Sequence, residues 1–150
     1  MVDVVSREVR SRMMSGIRGV NTRPEILIRS GLHRRGFRFR IHKRSLPGRP
    51  DIVLPRYNAV LLVHGCFWHG HDCHLFKWPN TRREFWRDKI EHNREVDQRS
   101  VDGLQQLGWR IGIIWECATK GRSRRDFDDL LNRVERWLKS NRKRLEIKGL

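Results

Sequence analysis

The chain is poor in cysteine, in tyrosine and in acid: 150 residues hold 3 Cys, 1 Tyr and 17 Asp plus Glu, against 33 Lys plus Arg. Three cysteines cannot all pair with one another, which excludes a disulfide scaffold as the organiser of the fold. Long apolar runs are absent too. The longest is Ala59 to Val63, whereas a spanning helix needs about 20 such residues, so a membrane protein is excluded. The opening Met1-Val-Asp-Val-Val-Ser-Arg-Glu8 has no secretory apolar core, so export is not expected. Nor is there a low-complexity tract or a repeat, and one domain is the reading at this length.

What is present is positive charge. The formal balance is +16, which points to a polyanionic partner, with nucleic acid first. Six Trp argue against disorder. Residues 1–21 read as a basic arm carrying Met13 and Met14, 22–140 as a single domain and 141–150 as a basic, frayed tail. Thr22-Arg-Pro-Glu25 is a capping-box pattern, with Pro in the first turn, that opens a helix to Arg35. Phe37–Ile41 alternates as a half-buried strand, and Asp51–Leu54 is a short strand led by a carboxylate. Ala59–Val63, apolar on both faces, reads as a central strand. Thr81-Arg-Arg-Glu84 repeats the capping pattern before a helix reaching Leu107. Trp109–Trp115 is a further strand. A last helix, opening at Ser123 or Arg124, points Phe127, Leu130, Leu131, Val134, Trp137 and Leu138 inward. The fold class is α/β, a small mixed sheet flanked by helices in the order αβββαβα.

The stretch His64-Gly-Cys66-Phe-Trp-His69-Gly-His71-Asp-Cys73-His74 is the most informative. Zinc takes four tetrahedral nitrogen or sulfur ligands. Cys66, His71 and Cys73 supply three from one loop. Cys117, just after the strand ending at Trp115, supplies the fourth if the two strands are neighbours. His69 and His74 rival His71. Such a closed site is structural; the bland alternative is buried free thiols beside exposed histidines.

Pro50-Asp51 before an apolar strand, with a second apolar strand following, is half of a nuclease pattern. The acidic-x-Lys triplet that would complete it is replaced by Val63-His64-Gly65. Alone, a strand-leading Asp is more often a turn residue, and Glu25 has its own explanation as the third residue of a capping box. The weight of Asp51 rises with His64 and His69 close by, because a neutral imidazole can take a proton from water attacking phosphorus. On the second long helix, Trp86, Lys89 and Asn93 fall on the side of Ile90, Leu104 and Leu107 rather than in the solvated sector. Polar residues there need partners, and Lys89 and Asn93 are candidates to reach base edges.

Together, Leu46-Pro-Gly-Arg-Pro-Asp51, His64-Gly-Cys-Phe-Trp-His69, Thr81-Arg-x-Glu-Phe-Trp86, and Leu107-Gly-Trp-Arg110 with Trp115-Glu-Cys117 resemble the very-short-patch-repair (Vsr) mismatch endonucleases, over about residues 6 to 140. The resemblance implies a restriction-endonuclease-like fold with a zinc-stabilised loop, and an enzyme that nicks one DNA strand beside the T of a T·G mismatch left by deamination of 5-methylcytosine. It implies that Asp51 binds catalytic Mg²⁺ with the main-chain carbonyl of Val63. It makes His69 the general base, with His64 and Glu25 in support. Cys66, His71, Cys73 and Cys117 match the structural Zn²⁺ site. Phe67, Trp68 and Trp86 match an aromatic wedge entering the duplex, and Met14 a residue inserted from the other groove. It further implies a monomer in the bacterial cytoplasm, acting on double-stranded DNA ahead of mismatch-repair proteins and a repair polymerase. The rival reading from another class is a catalytically silent zinc module that binds mismatched DNA.

Overall fold

The computed structural model describes residues 21–150, so Met14 and all but the last residue of the expected basic arm lie outside the described residues. Among the described residues, three α-helices, α1 (Arg23–Arg34), α2 (Arg83–Gln106) and α3 (Phe127–Leu138), surround five strands: β1 (Arg40–Ile41), β2 (Ile52–Leu54), β3 (Ala59–His64), β4 (Arg110–Trp115) and β5 (Arg144–Ile147). Among the described residues the strands form one sheet in the order β1-β2-β3-β4-β5. β1, β2 and β3 pair antiparallel, while β3, β4 and β5 run parallel. The small mixed sheet flanked by helices is therefore as the patterning indicates.

The period-2 alternation of the strands sorts the core into two layers. Ile52, Leu54, Ala59, Leu61, Ile114 and Ile147 face α1 and α3, meeting Ile28 and Leu32 from the first and Leu130, Leu131, Val134 and Leu138 from the second. Val53, Val60, Leu62, Ile111 and Ile113 face the other way, onto Val101 and Leu104 of α2. β3 is buried on both faces because it is the middle strand, which accounts for its continuous apolar run. Gly112 in β4 has a packing reason: a Cβ there would stand 2.7 Å from Leu61 Cδ2 and 3.2 Å from the Trp137 ring.

Five local expectations change. Thr22 makes no side-chain cap bond; instead Glu25 reaches back to accept from the Asn21 N–H at 3.0 Å. α2 begins at Arg83, two residues after Thr81, behind an Arg82 with φ of 55° and without a side-chain cap. The second capping box therefore does not form. The strand expected over Phe37–Ile41 shrinks to two residues, while Phe37 goes into the core. α3 opens at Phe127, where Asp126 caps it by accepting from the Asp129 N–H. The tail is not frayed throughout, for Arg144–Ile147 adds β5 to the parallel edge of the sheet.

Arg110 ties these pieces together. Its guanidinium donates to the carbonyls of Tyr57, Trp137, Leu138 and Arg142 at 2.7–3.3 Å and lies 4.8 Å from the centre of the Trp137 ring. It thus satisfies the last carbonyls of α3, which have no partner inside the helix. Arg110→Lys should be nearly as damaging as Arg110→Ala, since an ammonium cannot reproduce the planar fork. Each buried acceptor left unpaired costs about 1–3 kcal/mol. Urea unfolding of both variants checks this; a lysine variant as stable as the parent would count against the fork.

Candidate active site and metal centre

β2 and β3 run antiparallel, so the residue that leads β2 stands beside the end of β3. Asp51 uses this position to accept from the Val63 N–H at 2.7 Å. Glu25 comes from α1 on the same face of the sheet and is 1% exposed. Its Oε2 also accepts from Arg29 Nη1 at 2.9 Å. A third side chain joins them: His42, in the turn after β1, places Nε2 at 2.9 and 3.0 Å from the two Glu25 oxygens. One ligand atom from each of Glu25, His42 and Asp51 lies within 4.8 Å of the others. Burial, and then the Glu25 carboxyl alongside, push the Asp51 carboxyl well above the ordinary carboxylate range. A buried carboxyl and a half-buried one within 4.8 Å of each other call for a proton or a cation between them, and hard cations take such oxygen donors.

Across the end of β3, one residue further on, His64 points to the α2 face. It is 8% exposed and stacks on His69, ring centres 4.0 Å apart and planes within 6°. His69 Nδ1 is bonded to Asp97 Oδ2, from the middle of α2. This leaves Nε2 as the nitrogen that can act on something else. Burial, then the His69 and His71 rings, hold His64 well below the usual imidazole range. It therefore stays neutral at pH 7, and its Nδ1 is buried without a hydrogen-bond partner. The aligned acid–imidazole pair is the arrangement by which a carboxylate orients a general base.

The loop after β3 supplies His69, His71 and two of the cysteines, Cys66 and Cys73, and the segment after β4 supplies Cys117. One ligand atom from each of Cys66, His71, Cys73 and Cys117 lies within 4.8 Å of the rest, and the Cys117 Sγ to His71 Nδ1 distance is 3.6 Å. Zinc–sulfur and zinc–nitrogen bonds of about 2.3 and 2.0–2.1 Å at the tetrahedral angle give an edge of roughly the same length, so three thiolates and an imidazole fit that ion. The register explains the convergence: His64 of β3 pairs with Trp115 of β4, which brings the two chain segments after those strands side by side. Of the rival histidines, His69 is committed to Asp97, and His74 Nδ1 meets Ser123 Oγ at 3.3 Å. Two main-chain amides support the sulfurs, Cys117 N–H on Cys66 Sγ at 3.3 Å and Gly149 N–H on Cys117 Sγ at 3.2 Å. Without metal, burial pushes the thiols of Cys66 and Cys117 up and keeps His71 down.

Outside this centre the loop carries aromatics. Phe67, Trp68 and Trp86 form a triangle with ring centres 5.1–5.8 Å apart, extended by Phe76, Trp78 and Phe85. None of the three belongs to either core layer. Phe85 is 46% and Trp78 43% exposed, so the cluster is a surface feature. Asn93 Nδ2 donates to the Trp68 carbonyl at 2.8 Å, which makes it a strut beneath the triangle. Lys89, a turn away, is half-buried. Arg94, which the helical wheel puts in the solvated sector, reaches over to the carbonyls of His69 and Gly70. Gly70, at φ of +60°, lets the loop press on α2; a Cβ there would lie 2.6 Å from Ile90.

Two residues of this site are missed by sequence reasoning. Asp97 sits on the helical stripe of Ile90, Asn93, Val101 and Leu104, and a carboxylate inside an apolar stripe was the available signal. His42 carried none, because it lies in an irregular turn.

A protein-family model described as DNA mismatch endonuclease Vsr matches residues 2–75. The DNA mismatch endonuclease Vsr of Escherichia coli (strain K12) is 46% identical over 138 residues, 92% of this chain and 88% of that protein. The type II nicking enzyme V.XorIIP of Xanthomonas oryzae pv. oryzae is 50% identical over 117 residues, covering 78% of this chain and 86% of its own. The type II nicking enzyme V.NmeAIP of Neisseria meningitidis serogroup A is 37% identical over 139 residues, 93% and 98% of the two chains.

Proposed function

The chain belongs to the Vsr DNA mismatch endonuclease family and is an endonuclease, and from that premise we propose that it nicks one strand of double-stranded DNA beside the T of a T·G mismatch. The observation that carries the reading is the pairing, at one end of β3, of the Glu25 and Asp51 carboxyls with a carboxylate-oriented histidine. Asp51, with the Val63 carbonyl, holds the catalytic Mg²⁺, and Glu25 stands beside it. When bound, such an ion stabilises charge on the scissile phosphate and lowers the pKa of its water. His69 Nε2 takes the proton from the attacking water while Asp97 fixes the ring. Neutral His64 supports the face of His69.

Cys66, His71, Cys73 and Cys117 hold Zn²⁺ in a closed site, and its role is to fix the loop. The sheet and its flanking helices are of the restriction-endonuclease-like type. Phe67, Trp68 and Trp86 enter the duplex as a wedge, with Lys89 and Asn93 beneath them and residues 1–21, Met14 included, gripping the DNA from the other side. A wobble pair is easier to unstack than a Watson–Crick pair, so a wedge reads the defect as deformability. Acting as a cytoplasmic monomer, the enzyme opens a repair tract that mismatch-repair proteins and a polymerase complete.

The test is nicking of matched and T·G duplexes in Mg²⁺, with the cut mapped to a strand. Phe67→Ala or Trp68→Ala should bind undamaged duplex as the parent does, because phosphate contacts position the protein, while preference for the mismatch is lost. Equal weakening on both duplexes would return these aromatics to a packing role. A protein that binds the mismatch and never nicks would be the silent binding module instead.

A further inference from the structure

The histidine beside Glu25 has no place in that scheme. We propose that His42 is a further protein ligand of the cation held by Asp51, on the side where Glu25 stands, and that its nitrogen widens the metal choice of the site from Mg²⁺ toward Mn²⁺ and Co²⁺. The inference rests on the reading of Asp51 as the ligand of the catalytic cation.

Three observations carry it. First, His42 is tied to both acids. Its own N–H donates to the Asp51 carbonyl at 3.4 Å, and its Nε2 lies 2.9 and 3.0 Å from the Glu25 oxygens. Adjacent ligands of an octahedral ion with bonds of about 2.1 Å are separated by roughly 3 Å, so an imidazole here already stands at the ligand spacing. Second, His42 is not required to neutralise Glu25. Arg29 at 2.9 Å supplies the positive charge and the Asn21 N–H a further donor, both on Oε2, which leaves Oε1 facing His42. Third, the backbone is bent to deliver the ring. His42 has φ of 49°, a left-handed conformation uncommon outside glycine, and it turns the chain out of β1 so that the side chain points back at α1.

The chemistry then separates metals. Mg²⁺ is a hard ion that takes oxygen and keeps its waters, whereas imidazole suits first-row transition ions. A site of two carboxylates alone would favour neither strongly; one with a nitrogen donor holds Mn²⁺ and Co²⁺ more tightly relative to Mg²⁺.

The experiment uses zinc-loaded full-length protein and Mn²⁺ as the probe. Binding is followed by loss of the free-ion electron paramagnetic resonance signal, and pulsed spectra of the bound ion report directly coupled ¹⁴N. The expected result is one bound Mn²⁺ with a nitrogen coupling that changes when the protein carries ¹⁵N-histidine. That coupling disappears in His42→Gln and persists in His69→Gln. His42→Gln should weaken Mn²⁺ binding by about 10- to 100-fold, the loss usual for groups that support a metal, and Mg²⁺ binding by clearly less. Asp51→Asn should abolish the site. Mn²⁺ bound through Asp51 without nitrogen coupling, or with coupling that survives His42→Gln, overturns the assignment of His42 alone. Mn²⁺ binding unaffected by Asp51→Asn overturns the underlying reading of Asp51 as well. The ¹⁵N comparison needs no variant and holds even if a substitution fails to fold.

Discussion

Asp51→Asn is expected to lower single-turnover nicking of a T·G duplex by about 10³-fold or more while leaving binding of that duplex intact. Charge stabilisation by a bound cation is worth several kcal/mol, and roughly 1.4 kcal/mol is tenfold in rate. Asp51 is the carboxylate that leads β2 and stands beside the end of the central strand β3, its position fixed by the 2.7 Å bond from the Val63 N–H. Asparagine preserves the shape and the acceptor for that bond but supplies no charge for a divalent ion. On the proposed reading the basic residues and the aromatic triangle hold DNA elsewhere, and losing a negative charge from the site should if anything tighten binding. His69→Ala should also be nearly inactive, by the ~10²- to 10⁴-fold typical of a lost general base, yet should keep its cation. Asp97→Asn should fall between His69→Ala and the parent, since it disturbs the orientation of the base and leaves the base itself in place. A Mg²⁺ titration separates the roles. If activity of His69→Ala is restored merely by more Mg²⁺, or Asp51→Asn stays active, the division of labour is wrong.

How much of this was legible beforehand depended on whether a residue's neighbours were set by periodicity or by a long-range turn. β3 and β4 announced themselves through apolar runs, and their adjacency alone brings Cys117 to the loop of Cys66, His71 and Cys73. Hence the thiol–imidazole cluster could be read from spacing. β5 could not: Arg144-Leu-Glu-Ile147 alternates for only four residues inside a basic stretch, and what makes it a strand is the open edge of β4 after α3 has crossed over. α2 was placed but its start was not. The Thr81–Glu84 pattern is locally correct, and a left-handed Arg82 displaces it, with Arg82 lying over the Phe85 ring at 4.4 Å. Asp97 was recoverable from the helical wheel with the same logic that singled out Asn93. His42 was not, because nothing local says that a residue between β1 and the Pro-rich turn will meet a helix seventeen positions earlier.

The two functional groups therefore depend on different parts of the chain. The acidic pair hangs on α1 and β2, which the core layer of Ile28, Leu32, Ile52 and Leu54 holds in place. His69, Phe67 and Trp68 hang on a loop with no strand or helix over residues 65–82, held by the struts from Asn93 and Arg94 and by the thiol–imidazole cluster. Trp115 links the parts of this second half: it stacks on His71 at 4.1 Å, meets His64 edge-on at 5.1 Å and donates to Glu146 Oε2 of β5.

Removal of zinc is consequently expected to have the largest effect on stability and to abolish nicking and mismatch preference together. Structural zinc contributes about 10–16 kcal/mol of apparent binding free energy at pH 7, comparable with the whole net stability of about 5–15 kcal/mol for a domain of this kind. Here the ion would join the loop after β3 to the segment after β4, and through the Gly149 N–H on Cys117 Sγ to the chain after β5. Without it, buried Cys66 and Cys117 revert to neutral thiols, as their raised pKa values dictate, and the loop loses its anchor while the sheet keeps its core. His69 then leaves its stack on His64, and Phe67 and Trp68 lose their fixed relation to Trp86. Because the thiols must give up protons to bind the ion, its apparent affinity should fall as the pH is lowered, and acid should act as a chelator does. Cys117→Ala should therefore show less than one zinc per chain, a lower unfolding midpoint, and loss of T·G preference with appreciable, steeply salt-dependent binding to matched duplex retained, since that binding comes from the +16 charge. Metal analysis, thermal unfolding and duplex binding on the same sample check all three. Purified, folded, active protein that contains no zinc at the outset would remove the metal from this account and leave the four residues as a packed cluster of thiols and an imidazole.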